Sequence, residues 1–211
     1  MEIIRGPDAG ELDQRVSLLA FRSLRCCGGR TLCAPMENKC GACAGEGWKW
    51  SEYRKAWARV TPTGAFTLYA DSGVSGQEAE FILRRQGFTL RNAIRWRGLF
   101  YLPISLTPVG RGHLAVKAVQ VRPRRCKGEE RGTGREIRFD AVCGEKLQEH
   151  QLQGPMARNT VRLALVTPAE VALQPGSLVT VGDDPAPWWV KICHEPERER
   201  RETEIERIVE P

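Results

Sequence analysis

Glycine and proline punctuate this chain at short intervals. Between the breaks, apolar residues alternate with polar ones instead of recurring at helical spacing. With 21 glycines and 13 prolines in 211 residues, no segment holds a 3.6-residue apolar period long enough for a helical bundle. Period-two alternation bounded by turn residues is the signal of half-buried strands. In Ala93–Arg97, Ile94 and Trp96 share one face and Arg95 and Arg97 the other. Strands are likewise expected at Gln14–Phe21, Ala56–Pro62, Ala79–Gln86, Leu99–Ile104 and His113–Val121, the last two joined by the loop Thr107-Pro-Val-Gly-Arg-Gly112. Six such segments at close spacing predict a small antiparallel β-barrel or sandwich. Trp57 and Trp96 are read as core residues, while Trp48, Trp50, Trp188 and Trp189 suit either a core or an interface.

The same style resumes after Arg122-Pro-Arg-Arg125, where a domain boundary is expected. Further strands are expected at Arg135–Val142, Val161–Val166, Leu178–Val181, Trp188–Cys193 and Glu202–Val209. Two short helices are expected among them. Glu145–Gln153 is one; Thr167-Pro-Ala-Glu170 starts the other, as a capping box with Thr167 as N-cap and Pro168 in the first helical position. The fold class is therefore mainly β: a small barrel or sandwich over 1–122, carrying a cysteine-rich loop insertion at 22–50, then a second small β domain over 123–211. A faint internal echo links the two. Ile94–Val121 and Leu178–Val209 each read as a strand ending at glycine, an aromatic-led strand, a polar turn and a closing strand.

Charge is unevenly spread. Of a net charge of +6, residues 1–125 contribute +10 and residues 126–211 contribute −4. A basic first half suits contact with a polyanion, or simply a solvated strand face. The longest run without Asp, Glu, Lys or Arg is Gly98–Gly110, 13 residues that include two prolines. A membrane-spanning helix needs about 20 apolar residues, so none is expected. No basic patch and apolar run open the chain, so the expectation is a cytosol-like compartment. The histidines, His113, His150 and His194, are far apart, and no metalloprotease helix, nucleophile elbow, phosphate loop or dinucleotide fingerprint occurs.

Five of eight cysteines fall between Cys26 and Cys43. Without a secretory leader, metal binding explains such crowding better than disulfides do. Cys40-Gly-Ala-Cys43-Ala-Gly-Glu-Gly47 has the C-x-x-C-x-G-x-G pattern and resembles half of the zinc module of DnaJ-type chaperones. A tetrahedral site needs two further thiolates. The candidate ligands of a structural Zn²⁺ are Cys27, Cys33, Cys40 and Cys43, with Cys26 as the alternative to Cys27. Binding would supply the free energy that a long coreless loop lacks. Cys126, Cys143 and Cys193 are expected to be core or surface thiols.

Residues 11–122 carry, in order, Leu12-Asp-Gln-Arg-Val16, Trp57-Ala-Arg-Val-Thr-Pro-Thr-Gly64, Phe81-Ile-Leu-Arg-Arg85 and the three-strand run Ile94–Val121. This order resembles the head–tail joining, or head-closure (stopper), proteins of long-tailed bacteriophages; the second half is more loosely similar to small minor capsid proteins of such phages. The chain departs from the family in its near-double length and its cysteine-rich insertion. The resemblance implies a virion structural protein of the neck, assembled in the host cytoplasm. Its subunits would form a homo-oligomeric ring below the portal that lines or closes the DNA channel and docks the tail. Implied partners are copies of itself, the portal or adaptor ring, tail terminator or tail tube proteins, and packaged double-stranded DNA held non-specifically, with no membrane and no enzyme activity. DNA-facing candidates are Arg22, Arg25, Arg30, Arg54 and Lys55, since phosphates are gripped by Lys and Arg without base readout. Two other classes compete. A zinc-containing nucleic-acid-binding regulator would use the same cations with the cysteine loop. An enzyme would rely on Cys193-His194, whose adjacency on a strand puts nucleophile and base on opposite faces.

Overall fold

The computed structural model of the chain describes residues 9–24, 47–69, 74–151, 158–195 and 199–209. After a single 3-10 turn at Ala9–Glu11, everything regular in these residues is strand. The strands are β1 (Gln14–Leu24), β2 (Gly47–Tyr69), β3 (Val74–Arg84), β4 (Asn92–Trp96), β5 (Leu99–Val109), β6 (His113–Val121), β7 (Pro123–Glu129), β8 (Glu136–Gln151), β9 (Arg158–Pro168), β10 (Leu178–Val181), β11 (Asp184–Cys193) and β12 (Arg200–Val209). The chain divides into two compact units. The first runs to Ala20 and again from Trp50 to Arg122; the second takes Phe21–Lys49 and everything from Pro123.

In the first unit six strands pair in the order β1-β4-β5-β6-β3-β2, and β2 returns to β1 to close an antiparallel barrel. Its interior is filled by the inward half of each alternating strand. Val16, Leu18, Ala58, Phe81, Leu83, Ile94, Val116 and Ala118 are all at most 2% exposed. At the centre Phe81 meets Tyr101 edge-on at 5.1 Å and Trp96 at 6.2 Å, the tilted geometry that aromatic quadrupoles favour. Phe88, from the β3–β4 connection, closes the same core. The β4–β5 hairpin turns on Arg97-Gly98, with φ of 51° and 78°. Glycine adopts that region freely; Arg97 does so at a cost, offset by its guanidinium lying 4.6 Å over the Trp96 ring.

In the second unit six further strands pair in the order β8-β7-β10-β11-β12-β9, and β9 returns to β8 along an eight-residue-pair ladder. Numbered within its own unit, each ring therefore reads 1-4-5-6-3-2. The echo read between Ile94–Val121 and Leu178–Val209 falls on the same fourth, fifth and sixth strands of the two rings. Both fourth-to-fifth turns carry a positive-φ glycine, Gly98 and Gly182, and both third-to-fourth connections send apolar plugs inward, Phe88 in one and Val171 with Leu173 in the other. The second core gathers Phe139, Ala141, Leu165, Val179, Trp188, Val190 and Ile205 around the Cys126 thiol. A hydrogen bond with Cys143, together with burial, pushes that thiol well above its ordinary range. The opening of β2 joins this unit: Trp48 pairs with Phe139 in parallel and stacks on Phe21, and its carbonyl accepts from Arg125 at 2.9 Å.

Two expected helices are corrected. The helix expected at Glu145–Gln153 is strand as far as Gln151, held by the β8–β9 ladder; a register shift between Lys146 and Glu149 hides its alternation. Thr167-Pro168 does not cap a helix but ends β9. The Thr167 hydroxyl faces the Arg201 carbonyl at 3.5 Å, and Ala169-Glu170 form a turn closed by Val171 N–H on the Pro168 carbonyl. The chain divides between Arg122 and Pro123, within the expected boundary, and Pro123–Glu129 is β7, whose backbone pairs along its whole length with β8.

Candidate nucleic-acid interface

On β2 the in–out alternation slips by one residue. Tyr53 and Ala56, three positions apart, both pack on the first core, so Arg54 and Lys55 both reach solvent. Strict alternation resumes at once. Ala58 is fully buried, and its neighbours Trp57 and Arg59 point outward, Trp57 being 58% exposed. This corrects the reading of Trp57 as core, and the signal was present in Trp-Ala-Arg-Val. Within a strand Trp57 shares its face with Arg59, and Ala58 shares its face with Val60.

Arg54, Lys55, Ala56 and Trp57 form one wall of a groove of about 410 Å³, completed by Leu12, Arg84 and Gln86. Three of these seven side chains are cationic and none is acidic. Lys55 has Glu52 at 3.9 Å, both well exposed, and such a pair is worth little. Arg59, just beyond, is tied to Glu11 at 3.0 Å. Among the described residues Arg54 and Arg84 make no ion pair. The groove thus offers guanidinium and ammonium donors around an exposed indole, a combination that suits phosphates with a stacking or hydrophobic partner.

The other site residues read from the sequence fall elsewhere. Arg22 is exposed on the last part of β1, in the second unit. Arg25 and Arg30 lie outside the described residues, as do Cys26 and the four candidate zinc ligands Cys27, Cys33, Cys40 and Cys43. Of the five cations, the structure brings Arg54 and Lys55 together and adds Arg84, which the sequence reading placed only as a strand end. Cys193 and His194 part to opposite faces. The Cys193 sulfur accepts from the Thr203 hydroxyl at 3.6 Å, while His194 Nε2 meets Glu204 at 3.1 Å on the other side. No family model, no curated protein and no solved structure matches this chain.

Proposed function

We propose that this chain is a virion structural protein, a head–tail connector subunit of the head-closure type. Copies of it form a ring around packaged DNA. The observation that carries the reading is the closed barrel built from the same ordered segments as the family motifs, with its acid-free groove of Arg54, Lys55 and Arg84 around Trp57. A channel lining has to hold a polyanion without fixing its register. Exposed cations on a rigid sheet do this, because release of condensed counterions supplies sequence-independent affinity. A reading as a solitary regulator would use the same groove on free DNA, so the state of association separates the two.

The test uses the full chain with a random-sequence duplex, followed by mass photometry and by titration at several salt concentrations. The expected outcome is a closed oligomer, and duplex binding that weakens steeply with salt. Replacing Arg54, Lys55 and Arg84 together by Ala lowers the log–log salt slope by about 2 to 3 and leaves the oligomer intact. A chain that stays monomeric at micromolar concentration overturns the connector reading, and an unchanged salt slope overturns the groove as the DNA contact.

A further inference from the structure

The β11–β12 ladder ends with Cys193 opposite Thr203, and the N–H of His194 donates to the Glu202 carbonyl at 3.0 Å. His194 and Glu202 therefore face each other across the two strands, and Glu204 follows on the same face of β12 two residues later. The ligand atoms of these three side chains lie within 4.8 Å of one another, His194 Nε2 being 3.1 Å from Glu204 Oε1. The supporting backbone is anchored from the opposite face. Buried Arg201 donates from Nη1 to the His194 carbonyl at 2.8 Å and from Nε and Nη2 to the Ala169 carbonyl at 3.3 and 3.2 Å. Its guanidinium is turned from the cluster toward Cys193 and the β9–β10 turn.

We propose that His194, Glu202 and Glu204 form a binding site for one divalent transition-metal ion, Zn²⁺ in the first place. It belongs to the second unit, whereas the basic groove belongs to the first. A dication placed among the three takes the imidazole lone pair and an oxygen from each carboxylate, since the three ligand atoms already converge. One nitrogen and two carboxylate oxygens suit zinc and its neighbours, whereas Mg²⁺ and Ca²⁺ select all-oxygen sets. With three protein donors, the remaining coordination positions open to solvent, since His194 is exposed.

The experiment is equilibrium dialysis of the full chain against Zn²⁺, with metal read by atomic emission, on the wild type, His194→Ala, Glu204→Gln and the control Glu206→Gln. Each of the first two variants is expected to hold one zinc fewer than wild type, whatever the cysteines bind; the control holds the wild-type number. Loading Co²⁺ separates the sites by spectrum, since thiolate ligands give sulfur-to-metal charge transfer and this donor set does not. A cobalt signal free of sulfur character is expected in wild type and lost in His194→Ala. Equal zinc in wild type and both cluster variants, or a cobalt spectrum that His194→Ala leaves unchanged, overturns the site. These substitutions are at solvent-facing positions, and far-UV circular dichroism checks that each variant folds.

Discussion

The two barrels share one strand order and differ in what they show to solvent. The first encloses an aromatic trio, Phe81, Trp96 and Tyr101, and displays a groove lined by cations without a carboxylate. The second is mostly aliphatic inside, around Phe139 and Trp188, and its surface is laced with opposite charges: Lys191 with Glu206 at 2.8 Å, Lys127 with Glu136 at 2.7 Å, and Asp184 at 2.6 Å with Arg207, whose guanidinium covers the Trp188 ring. Connectivity rests on inward residues and turn glycines, which both units keep in equivalent places. Outward residues do not select the fold, so there the two units are free to take on different partners. The two units thus share one topology and differ in how charge is arranged on their surfaces.

The parity of the two cores is most easily broken with their largest buried rings. Phe81→Ala and Phe139→Ala each remove a fully buried side chain and are expected to cost about 3–5 kcal/mol in denaturant unfolding. A cost below about 1 kcal/mol for either would mean that its core collapses around the loss and that the two interiors are not equivalent. Glycines sharpen the contrast on a smaller scale. A Cβ on Gly76 would overlap the Gln120 backbone carbonyl of the neighbouring strand, while one on Gly128 meets the Leu173 methyl at 2.9 Å and Val179 at 3.3 Å. Gly76→Ala is therefore expected to cost about 3 kcal/mol and Gly128→Ala about 1, since side chains yield and backbone does not. Equal losses would show that β3 and β6 can separate without penalty.

The smallest effect concerns charge on the second barrel. The Ala186 N–H, then Arg207, hold the Asp184 carboxyl below the usual carboxylate range. Because its folded value is depressed, its contribution is present above the ordinary carboxylate range and is lost as pH falls through the folded-state value. Asp184→Asn should flatten that part of the acid limb in a stability-against-pH curve, and carboxyl NMR should place the Asp184 midpoint low. A midpoint at the ordinary value would remove the Asp184–Arg207 pair from the account.

Most strands were legible because alternation and turn residues agree locally, as in Ile94–Val121, where positive-φ glycine, bulge and pairing follow the sequence signs. The errors have a common physical cause. Thr167-Pro168 satisfies a helix-capping pattern, but the Arg201 and Glu199 backbones, which lie far along the chain, supply its partners instead. Glu145–Gln151 has helix-friendly residues, and only the distant ladder with β9 makes it a strand. Long-range pairing overrides propensity, and a single sequence does not display it. Of the groove, Arg54 and Lys55 were readable as charge. The outward face of Trp57 was readable in Trp-Ala-Arg-Val; Arg84 needed the register of β2 on β3, which pairs Ala58 with Leu83. The His194–Glu202–Glu204 cluster depended on which strand followed which across the sheet.

The second barrel takes part of its substance from a segment made early. The Trp48 carbonyl is held by Arg125, which follows it by 77 residues. At roughly 5–20 residues per second of synthesis, the early segment emerges about 4–15 s before the arginine that fastens it. All six strands of the first barrel have left the ribosome by then. Birth order thus leaves Trp48 waiting some seconds for the partner that fastens it.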